Sequence, residues 1–569
     1  MRKVTNVGAS MKETGHGLKK HNMSTTTVVF MVFSLVAAGC YGIESMIPEA
    51  GPGLTLVMLL VLPLVWGLPF GLVVSELGSL RPQEGGYYKW VQEALGEFWG
   101  FMAGWWRTVS IYIDNSLYVI LAGGYAAGQW KLDGFQEFVL KAAMILIFMC
   151  INLKGVKDVG IVTNILSVFI LAAFAMIAVL GIMNWQHNPF VPFTAGEIET
   201  PSSLIFFIGA GISVGMWMYS GYESMSTIAG ELKNPQVIPK ATLITVPLIT
   251  ATYIFPTLGG LASIGRWEEW GEGVGAVGYA NVALEYIGPF AGVFFVIMAI
   301  VAQCSIYNTY IASGSRGFFA MAADNLAPPL LVKVDKTHGV PYVSVISIAV
   351  VNLILCNFAF STVVIVDVFL LVSSYIMVYI SCMVLRKRIP KSEYRFRIPG
   401  SSAFIHVLCI VPICVALISF LVNGADYFIG GMVGIITGPA MYILWRRRYG
   451  GLSKIDPRRY PLNRKTSLAV GDTGRMGLMF LMLGIIGVFG RMILPWYEGE
   501  NAAEFFLEKY GESPLKVLFA DWGAMMSAIT AASVFCLLMA ALCLLISKSA
   551  EKSIYVSGVT ATTLVVKRK

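Results

Sequence analysis

The chain is a series of long apolar runs separated by short polar segments. Runs of about 20 apolar residues have the length of a helix that crosses a bilayer. Fourteen such runs are predicted as membrane-spanning helices, numbered here as spans 1 to 14 in chain order. The fourth (140–153) and ninth (343–358) are the weakest, and the eighth (287–322) is unusually long. The spans centre near residues 37, 66, 115, 144, 171, 217, 252, 303, 350, 375, 413, 436, 484 and 535.

Composition agrees with a membrane protein. Hydrophobic residues make up 56% of the chain and charged residues only 13%, against roughly 25% charged in soluble domains. The nine cysteines show no paired spacing, so neither a disulfide framework nor a zinc site is expected. The first 22 residues are polar and basic and predict a cytosolic tail, not a removable signal peptide. We therefore predict an all-α polytopic membrane protein.

The distribution of basic residues predicts the orientation of the spans. With the N-terminus placed in the cytosol, 33 of the 41 lysines and arginines fall in cytosolic tails and loops, and five fall outside. Such an excess is typical of cytosolic loops in membrane proteins. An even number of spans with both termini cytosolic follows. Because the net charge of +8 lies in these loops, nucleic-acid binding is not expected.

Two similar strings, GIESM at 42–46 and GYESM at 221–225, lie within spans 1 and 6. A carboxylate inside a span costs at least about 2.5 kcal/mol and usually marks a pathway or a site. A helix broken at a glycine is tolerated where it lines a cavity. The strings lie five spans apart in chain order, so they occupy equivalent positions in two five-helix halves that run in opposite directions. This arrangement predicts a transporter site between inverted repeats.

Broken helices offer ligands for both ends of an amino acid. Their unpaired N–H groups suit a carboxylate, and their freed carbonyls suit an ammonium. Trp217 and the tyrosines beside the breaks, Tyr41 and Tyr222, are candidates for stacking on an aliphatic or cationic side chain.

Further charges lie at membrane depth. Arg107 precedes Asp114 by two turns on about the same face of span 3, so Asp114 either forms a structural ion pair with it or binds a ligand. Glu76 and Glu231 lie toward the cytosolic ends of spans 2 and 6 and predict inner ion pairs with lysines or arginines. Asp367, at the predicted start of span 10, is interpreted as an interfacial residue.

Three motifs together resemble those of amino acid–polyamine–organocation (APC) superfamily permeases. The segment 221–241 joins a Gly-Tyr-Glu-Ser break to an Asn-Pro-x-x-x-Pro-x-Ala loop, 82–87 reads Pro-Gln-Glu-Gly-Gly-Tyr, and 315–325 resembles the family's span 8. The resemblance covers roughly residues 25–445. The stretches 114–118 and 167–169 look closest to the polyamine and cationic amino-acid uptake branch.

The resemblance implies a ten-helix core of two inverted repeats with spans 1 and 6 broken, plus four further helices. It implies a secondary active transporter of amino acids or amines that works by alternating access in the cytoplasmic membrane, with substrate held between spans 1, 3, 6, 8 and 10. Trp217 would be an aromatic gate, and Glu223 a gating or proton-coupled carboxylate. Asn115 would be a contact from span 3. The candidate substrate-binding residues are Gly39, Cys40, Tyr41, Gly42, Glu44, Asn115, Trp217, Ser220, Gly221 and Tyr222, and the gating or proton-coupling candidates are Glu223, Trp217, Glu44 and Asp114.

Span 1 departs from the family pattern. Its glycines usually flank one small residue, whereas here Cys40-Tyr41 separates them and Glu44 follows. An extra carboxylate would repel a substrate carboxylate and attract an amine, so a polyamine or diamine is an alternative substrate. We therefore expect Glu44 to influence which substrate is carried.

The ion that drives transport stays open between a proton, sodium and a counter-substrate. Span 5 has no internal lysine, the residue that replaces sodium in some relatives; Thr309 or Ser313 in span 8 could ligate sodium. Glu223 or Glu44 could carry a proton, because desolvation raises a carboxyl pKa. No cofactor is expected, and no HExxH or paired-aspartate motif suggests an enzyme. An amine-gated channel or a nutrient sensor of the same fold is a further alternative.

The expected partners are a small amino acid or polyamine, membrane lipid, a proton or counter-substrate, and a second copy of the chain. Spans 13 and 14 are interpreted as serving either packing or an oligomer contact. The predicted segments are 1–24 (cytosolic tail), 25–183 (first repeat), 202–388 (second repeat), 404–447 (spans 11 and 12), 448–474 (basic cytosolic loop), 475–547 (spans 13 and 14) and 548–569 (cytosolic tail).

Overall fold

The structure is a computed structural model that describes residues 21–37, 40–234, 236–271, 277–358, 360–499, 502–511, 516–550 and 554–555. This part of the chain is almost entirely helical, with one two-stranded antiparallel sheet formed by β1 (Leu462–Asn463) and β2 (Ile554–Tyr555). The α-helices are α1 Thr25–Val36, α2 Ile43–Ala50, α3 Pro52–Leu62, α4 Leu68–Leu80, α5 Gly86–Leu95, α6 Glu97–Trp130, α7 Gly134–Leu153, α8 Val156–Met183, α9 Pro201–Met218, α10 Val237–Ile264, α11 Tyr279–Tyr286, α12 Pro289–Ala323, α13 Tyr342–Leu355, α14 Phe360–Arg388, α15 Ser402–Val422, α16 Ala425–Tyr449, α17 Asp472–Glu498, α18 Ala502–Tyr510, α19 Lys516–Phe519 and α20 Trp522–Ala550.

The prediction of a helical membrane protein is confirmed. Within the described ranges, 11 helices are long and apolar enough to cross a membrane. The three other predicted spans correspond to the broken pair α1–α2, to α13 with its 14 residues, and to α6, which carries Glu97, Arg107 and Asp114. The total of fourteen spans, the cytosolic location of both termini and the segment boundaries stay predictions.

Both predicted helix breaks are present. In span 1, the first helix, α1, ends at Val36. The second, α2, begins at Ile43 after Gly42, whose φ is 97°. In span 6, α9 ends at Met218, and Gly221, with a φ of 106°, precedes the 3₁₀ segment Tyr222–Glu231. Glycine is the residue that adopts such positive φ values without a steric penalty, so the glycine signal in the sequence located both breaks.

The broken elements lie side by side and are surrounded by long helices. α1 packs against the segment Tyr222–Glu231, and α2 packs against α9. α6 packs against α12 and α14, and α12 also contacts the segment Tyr222–Glu231. The helices that the resemblance places around the substrate are therefore neighbours in the fold.

The last two long helices, α17 and α20, pack mainly against each other and are attached to the rest of the bundle at both ends. At the basic end, the hydroxyl of Tyr442 lies between the carboxylates of Glu97 (2.9 Å to Oε1) and Asp472. At the opposite end, Glu498 Oε1 accepts a hydrogen bond from the backbone N–H of Ala425 at 2.9 Å. These contacts join α17 to α6 and α16; an oligomer contact through these helices stays a prediction.

Candidate functional site

The two breaks meet at Gly221. A Cβ atom at this position would lie 2.3 Å from the Leu35 carbonyl oxygen and 2.8 Å from the Tyr310 hydroxyl, so no side chain fits there. The backbone N–H of Gly221 donates to the Tyr375 hydroxyl of α14 at 2.7 Å. Glycine is thus required both for the conformation of the chain and for the close approach of α1.

The first helices of spans 1 and 6 both end beside the same tyrosine hydroxyl. Tyr253 of α10 places its oxygen 3.1 Å from the Val36 carbonyl oxygen and 3.0 Å from the Met218 carbonyl oxygen. The last carbonyls of a helix have no donor within the helix, and here one hydroxyl from a neighbouring helix lies within hydrogen-bond distance of both. Trp66, in the π-helical turn between α3 and α4, adds a hydrogen bond from Nε1 to the Met216 carbonyl oxygen at 3.1 Å.

Glu223 forms a fully buried ion pair with Arg107 of α6. The guanidinium Nε donates to Glu223 Oε1, and both side chains have 0% exposure. The other carboxylate oxygen accepts a hydrogen bond from the Tyr375 hydroxyl at 2.6 Å. Arg107 Nη1 also donates to Ser110 Oγ at 2.9 Å, and the guanidinium lies 5.8 Å from the ring centre of Tyr310. The break in span 6 is therefore linked electrostatically to α6.

Asp114 is not the ion-pair partner of Arg107, contrary to one of the two alternatives from the sequence. Its Oδ1 accepts a hydrogen bond from Trp217 Nε1 at 3.0 Å, and its Oδ2 accepts one from the Tyr118 hydroxyl at 3.2 Å. The Trp217 and Tyr118 rings stack with centroids 6.0 Å apart. Asn115 is fully buried, and neither atom of its amide has a hydrogen-bond partner in the described chain. Trp217 is thus held on α6 by Asp114, the residue that precedes the unsatisfied amide of Asn115 in the helix.

The interpretation of Asp367 as an interfacial residue is wrong. α14 begins at Phe360, which places Asp367 about two turns inside the helix, and its exposure is 0%. It interacts electrostatically with Asp114 and Arg107, and Ser110 lies beside it outside hydrogen-bond geometry. Neither carboxylate oxygen has a hydrogen-bond partner among the described residues. A third buried carboxylate therefore belongs to this cluster.

Glu44 lies away from this cluster. Its Oε1 accepts a hydrogen bond from the backbone N–H of Tyr279, the first residue of α11, at 2.8 Å. Its Oε2 accepts one from the Tyr125 hydroxyl at 3.3 Å. Negative charge at a helix N-terminus is stabilising, so this carboxylate holds α11 in place. Its predicted contact with substrate stays a prediction.

Four other candidates pack around the breaks. Cys40 donates its S–H to the Thr252 carbonyl oxygen at 2.9 Å, and the Tyr41 ring packs 5.3 Å from that of Tyr125. Ser220 Oγ accepts the Trp66 indole N–H at 3.2 Å and donates to the Met216 carbonyl oxygen. Tyr222 packs toward Gly71 of α4. Gly39 lies outside the described residues.

The two hydroxyls considered for sodium make separate contacts. Thr309 Oγ1 lies 3.3 Å from Ser34 Oγ, and Ser34 bonds Ser305 Oγ at 2.7 Å. Ser313 Oγ instead accepts from Thr227 Oγ1 at 3.3 Å. Among the described residues no group of three or more His, Cys, Asp or Glu could hold a metal ion. A sodium site at either hydroxyl stays a prediction.

Both inner ion pairs predicted from the sequence are present. Arg316 of α12 donates Nε to Glu231 Oε1 at 2.6 Å and Nη2 to Oε2 at 3.1 Å. Arg386 of α14 forms a similar two-bond contact with Glu76, with Nε at 2.5 Å from Oε1. These pairs connect four helical segments at the basic end of the bundle.

Three side chains that hydrogen-bond to the backbone of the breaks were not identified from the sequence: Tyr253, Trp66 and Tyr375. Their role comes from carbonyl or N–H groups that the breaks expose, and a tyrosine or tryptophan in an apolar span gives no local signal of it. Arg107 was identified, but its partner was not. Counting the charges inside the spans could have suggested Glu223 as the partner of Arg107, because a buried carboxylate needs a buried cation.

Two antiparallel broken helices, surrounded by long apolar helices and lined by buried charges, define a membrane transporter. Residues 23–445 match the family profile described as amino acid permease. The chain belongs to this family and is a multi-pass membrane protein. The predicted APC superfamily membership is thereby confirmed.

Known proteins similar to the chain are transporters. A probable polyamine transporter of Arabidopsis thaliana is 27% identical over 439 residues, which cover 76% of this chain and 86% of that protein. The serine/threonine exchanger SteT of Bacillus subtilis is 27% identical over 395 residues, with 66% and 86% covered. The structure of MhsT in complex with L-phenylalanine shares the fold, with a TM-score of 0.52 and 16% identity over 72% of this chain and 100% of that one.

Proposed function

We propose that this permease is a secondary active transporter that moves polyamines or related organic cations across the cytoplasmic membrane by alternating access. The observation that supports the substrate class is the charge balance beside the breaks. In the described chain, Asp114, Glu223 and Asp367 are buried together with a single guanidinium, that of Arg107. Removing a charge from water without a counter-charge costs several kcal/mol. A substrate with two or more ammonium groups would compensate the two carboxylates left after Glu223 and Arg107 pair.

The aromatic residues of the cluster suit the same ligand. Trp217 and Tyr118 stack on each other and both donate hydrogen bonds to Asp114, and the Tyr310 ring lies 5.6 Å from that of Tyr118. Ammonium groups bind aromatic faces with about 2 kcal/mol or more when desolvated. The similarity to a plant polyamine transporter supports this substrate class.

In the proposed cycle, the two five-helix halves rock around the breaks, with fourteen spans and both termini in the cytosol. The Arg316–Glu231 and Arg386–Glu76 pairs close the cytosolic side, and their separation opens it. Asp367 provides a coupling group: a proton on this carboxyl relieves its repulsion with Asp114 when no substrate is bound. Binding of an ammonium then displaces the proton, so substrate and proton compete for one carboxylate.

The test is uptake of labelled spermidine into proteoliposomes that contain the purified protein. Asp367→Asn should raise the KM for spermidine about tenfold or more, the equivalent of one charge-assisted hydrogen bond. Glu285→Gln removes the same charge from an exposed position of α11 and serves as the matched control. An unchanged KM in Asp367→Asn would refute the proposed role of this carboxylate. Conductance far above carrier turnover would favour the channel alternative.

A neutral amino acid is the second candidate substrate. The buried amide of Asn115 has a donor and an acceptor without partners in the described chain, which suits a zwitterion. The similarity to the serine/threonine exchanger is in line with it. Competition of serine with spermidine uptake, lost in Asn115→Leu, would support this candidate over the organic cation.

A further inference from the structure

A cavity of about 420 Å³ lies at the basic end of the bundle, far along α14 from the helix breaks. It is enclosed by the C-terminal turn of α14, the N-terminal turns of α15 and the connection 389–401. Neither the candidate substrate site nor the family comparison accounts for it. Its polar lining is mainly cationic and comprises Arg386, Lys387, Lys391, Arg397, Ser402 and His406.

The cations of this cavity outnumber the acidic groups that face them. Arg386 is neutralised by Glu76. In the described chain, however, no carboxylate lies within ion-pair distance of Lys387, Lys391 or Arg397. Like charges that share a cavity repel one another, and an anion between them would remove the repulsion.

Arg397 carries the clearest sign of a ligand. Its Nη1 atom is buried and has no hydrogen-bond partner in the described chain. The guanidinium lies over the ring of Tyr394 at 5.0 Å, and Arg397 is one of the residues that line the cavity. Burial raises the pKa of Tyr394 to about 12, so this phenol stays neutral and offers no counter-charge. A planar guanidinium with an unused N–H group matches a phosphate oxygen.

The N-terminus of α15 adds backbone donors. Ser401 caps the helix by accepting the Phe404 N–H at 3.1 Å, and Ser402, the first residue of α15, lines the cavity. The positive end of a helix dipole favours an anion there. Lysines, a guanidinium and helix N–H groups therefore converge on one volume.

The surroundings of the cavity favour a lipid as the source of the anion. From its mouth, α15 continues with exposed apolar side chains at positions three apart: Phe404 (47% exposed), Val407 (58%) and Ile410 (46%). α15 is one of the helices apolar enough to span the membrane. Acyl chains can pack along this stripe while the headgroup lies in the cavity, as in basic pockets between spans on the cytosolic face.

We propose that this cavity binds the phosphate of an anionic phospholipid headgroup. Lys387, Lys391 and Arg397 hold the phosphate, and the exposed stripe of α15 contacts the acyl chains. The site is separate from the substrate site, so it does not depend on which substrate is transported.

The experiment titrates the purified full-length protein in neutral detergent with short-chain phosphatidylglycerol and follows its melting temperature. Each surface cation contributes about 1 kcal/mol to such binding, or about fivefold in Kd. Lys387→Gln/Lys391→Gln should therefore weaken phosphatidylglycerol about 30-fold. Arg458→Gln/Arg459→Gln removes the same charge from exposed positions of the neighbouring basic loop and should leave Kd unchanged.

Titrations with two more ligands distinguish an anionic lipid from a zwitterionic lipid and from free phosphate. Short-chain phosphatidylcholine should stabilise the protein less, and inorganic phosphate should bind far more weakly because it lacks acyl chains. Arg397→Lys keeps the charge but removes the planar guanidinium donor, and it should weaken phosphatidylglycerol binding about fivefold. This single variant tests the site if the double variant fails to fold. Equal stabilisation by both lipids, or equal loss in the control variant, would refute the site. Phosphate binding as tightly as phosphatidylglycerol would refute the lipid assignment.

Discussion

The buried ion pair between Arg107 and Glu223 predicts a large and specific coupling energy. Glu223→Gln keeps the size of the side chain but leaves the Arg107 guanidinium, at 0% exposure, without a counter-charge. Removing one partner of a buried pair costs about 3–5 kcal/mol. Arg107→Gln should cost a similar amount, because it strands the carboxylate. The double variant leaves two amides that can hydrogen-bond each other, so its cost should be about 3 kcal/mol smaller than the sum of the two.

The measurement is a double-mutant cycle by equilibrium unfolding in mixed micelles. The exposed pair Arg266–Glu269, with N and O 3.5 Å apart and side chains 51% and 58% exposed, provides the control. Its coupling energy should stay below about 1 kcal/mol. A coupling energy between Arg107 and Glu223 no larger than the control value would show that this pair does not join the broken helix to α6.

Three further predictions concern the substrate, α11 and the two terminal helices. Trp217→Ala should raise the KM for spermidine about 30-fold, the equivalent of about 2 kcal/mol of cation–π energy; an unchanged KM would remove the indole from the site. Glu44→Gln should lower the stability by about 1 kcal/mol, since it weakens the cap on α11, and should change the KM of polyamines and of neutral amino acids equally. A loss confined to polyamines would support the direct substrate contact expected from the sequence. Asp472→Asn should speed hydrogen exchange in the loop 450–471, because Tyr442 then loses a charged acceptor; unchanged exchange would show that this bond does not hold α17.

The helix breaks could be predicted from the sequence, because their signal is local. A glycine inside an apolar run beside a carboxylate is unusual at membrane depth, and both Gly42 and Gly221 adopt the positive φ that only glycine tolerates well. That Glu76 and Glu231 form ion pairs with basic residues could be predicted for a similar reason, although the partners could not be named. A carboxylate near the basic end of a span finds one of many nearby cations.

The contacts between distant helices could not be predicted in this way. The partner of Arg107 depends on which face of α6 meets the break in span 6, and 116 residues separate Arg107 from Glu223. Asp367 was misplaced because the start of α14 was assigned too late by seven residues, which moves a side chain from the membrane surface into the core. The hydrogen bond from the Tyr279 N–H to Glu44 could not be predicted either, because 235 positions along the chain separate the two residues.

The hydroxyl of Tyr253 has one proton for two carbonyl oxygens, those of Val36 and Met218. A hydroxyl donates one hydrogen bond, so at any moment it can fully satisfy one of the two. The carbonyl that is left becomes the stronger acceptor for an incoming ammonium. Rotation of this one O–H bond would then decide which of the two carbonyl oxygens accepts a hydrogen bond from the cation and which is occupied by the Tyr253 proton. This choice between two acceptors requires no movement of the backbone.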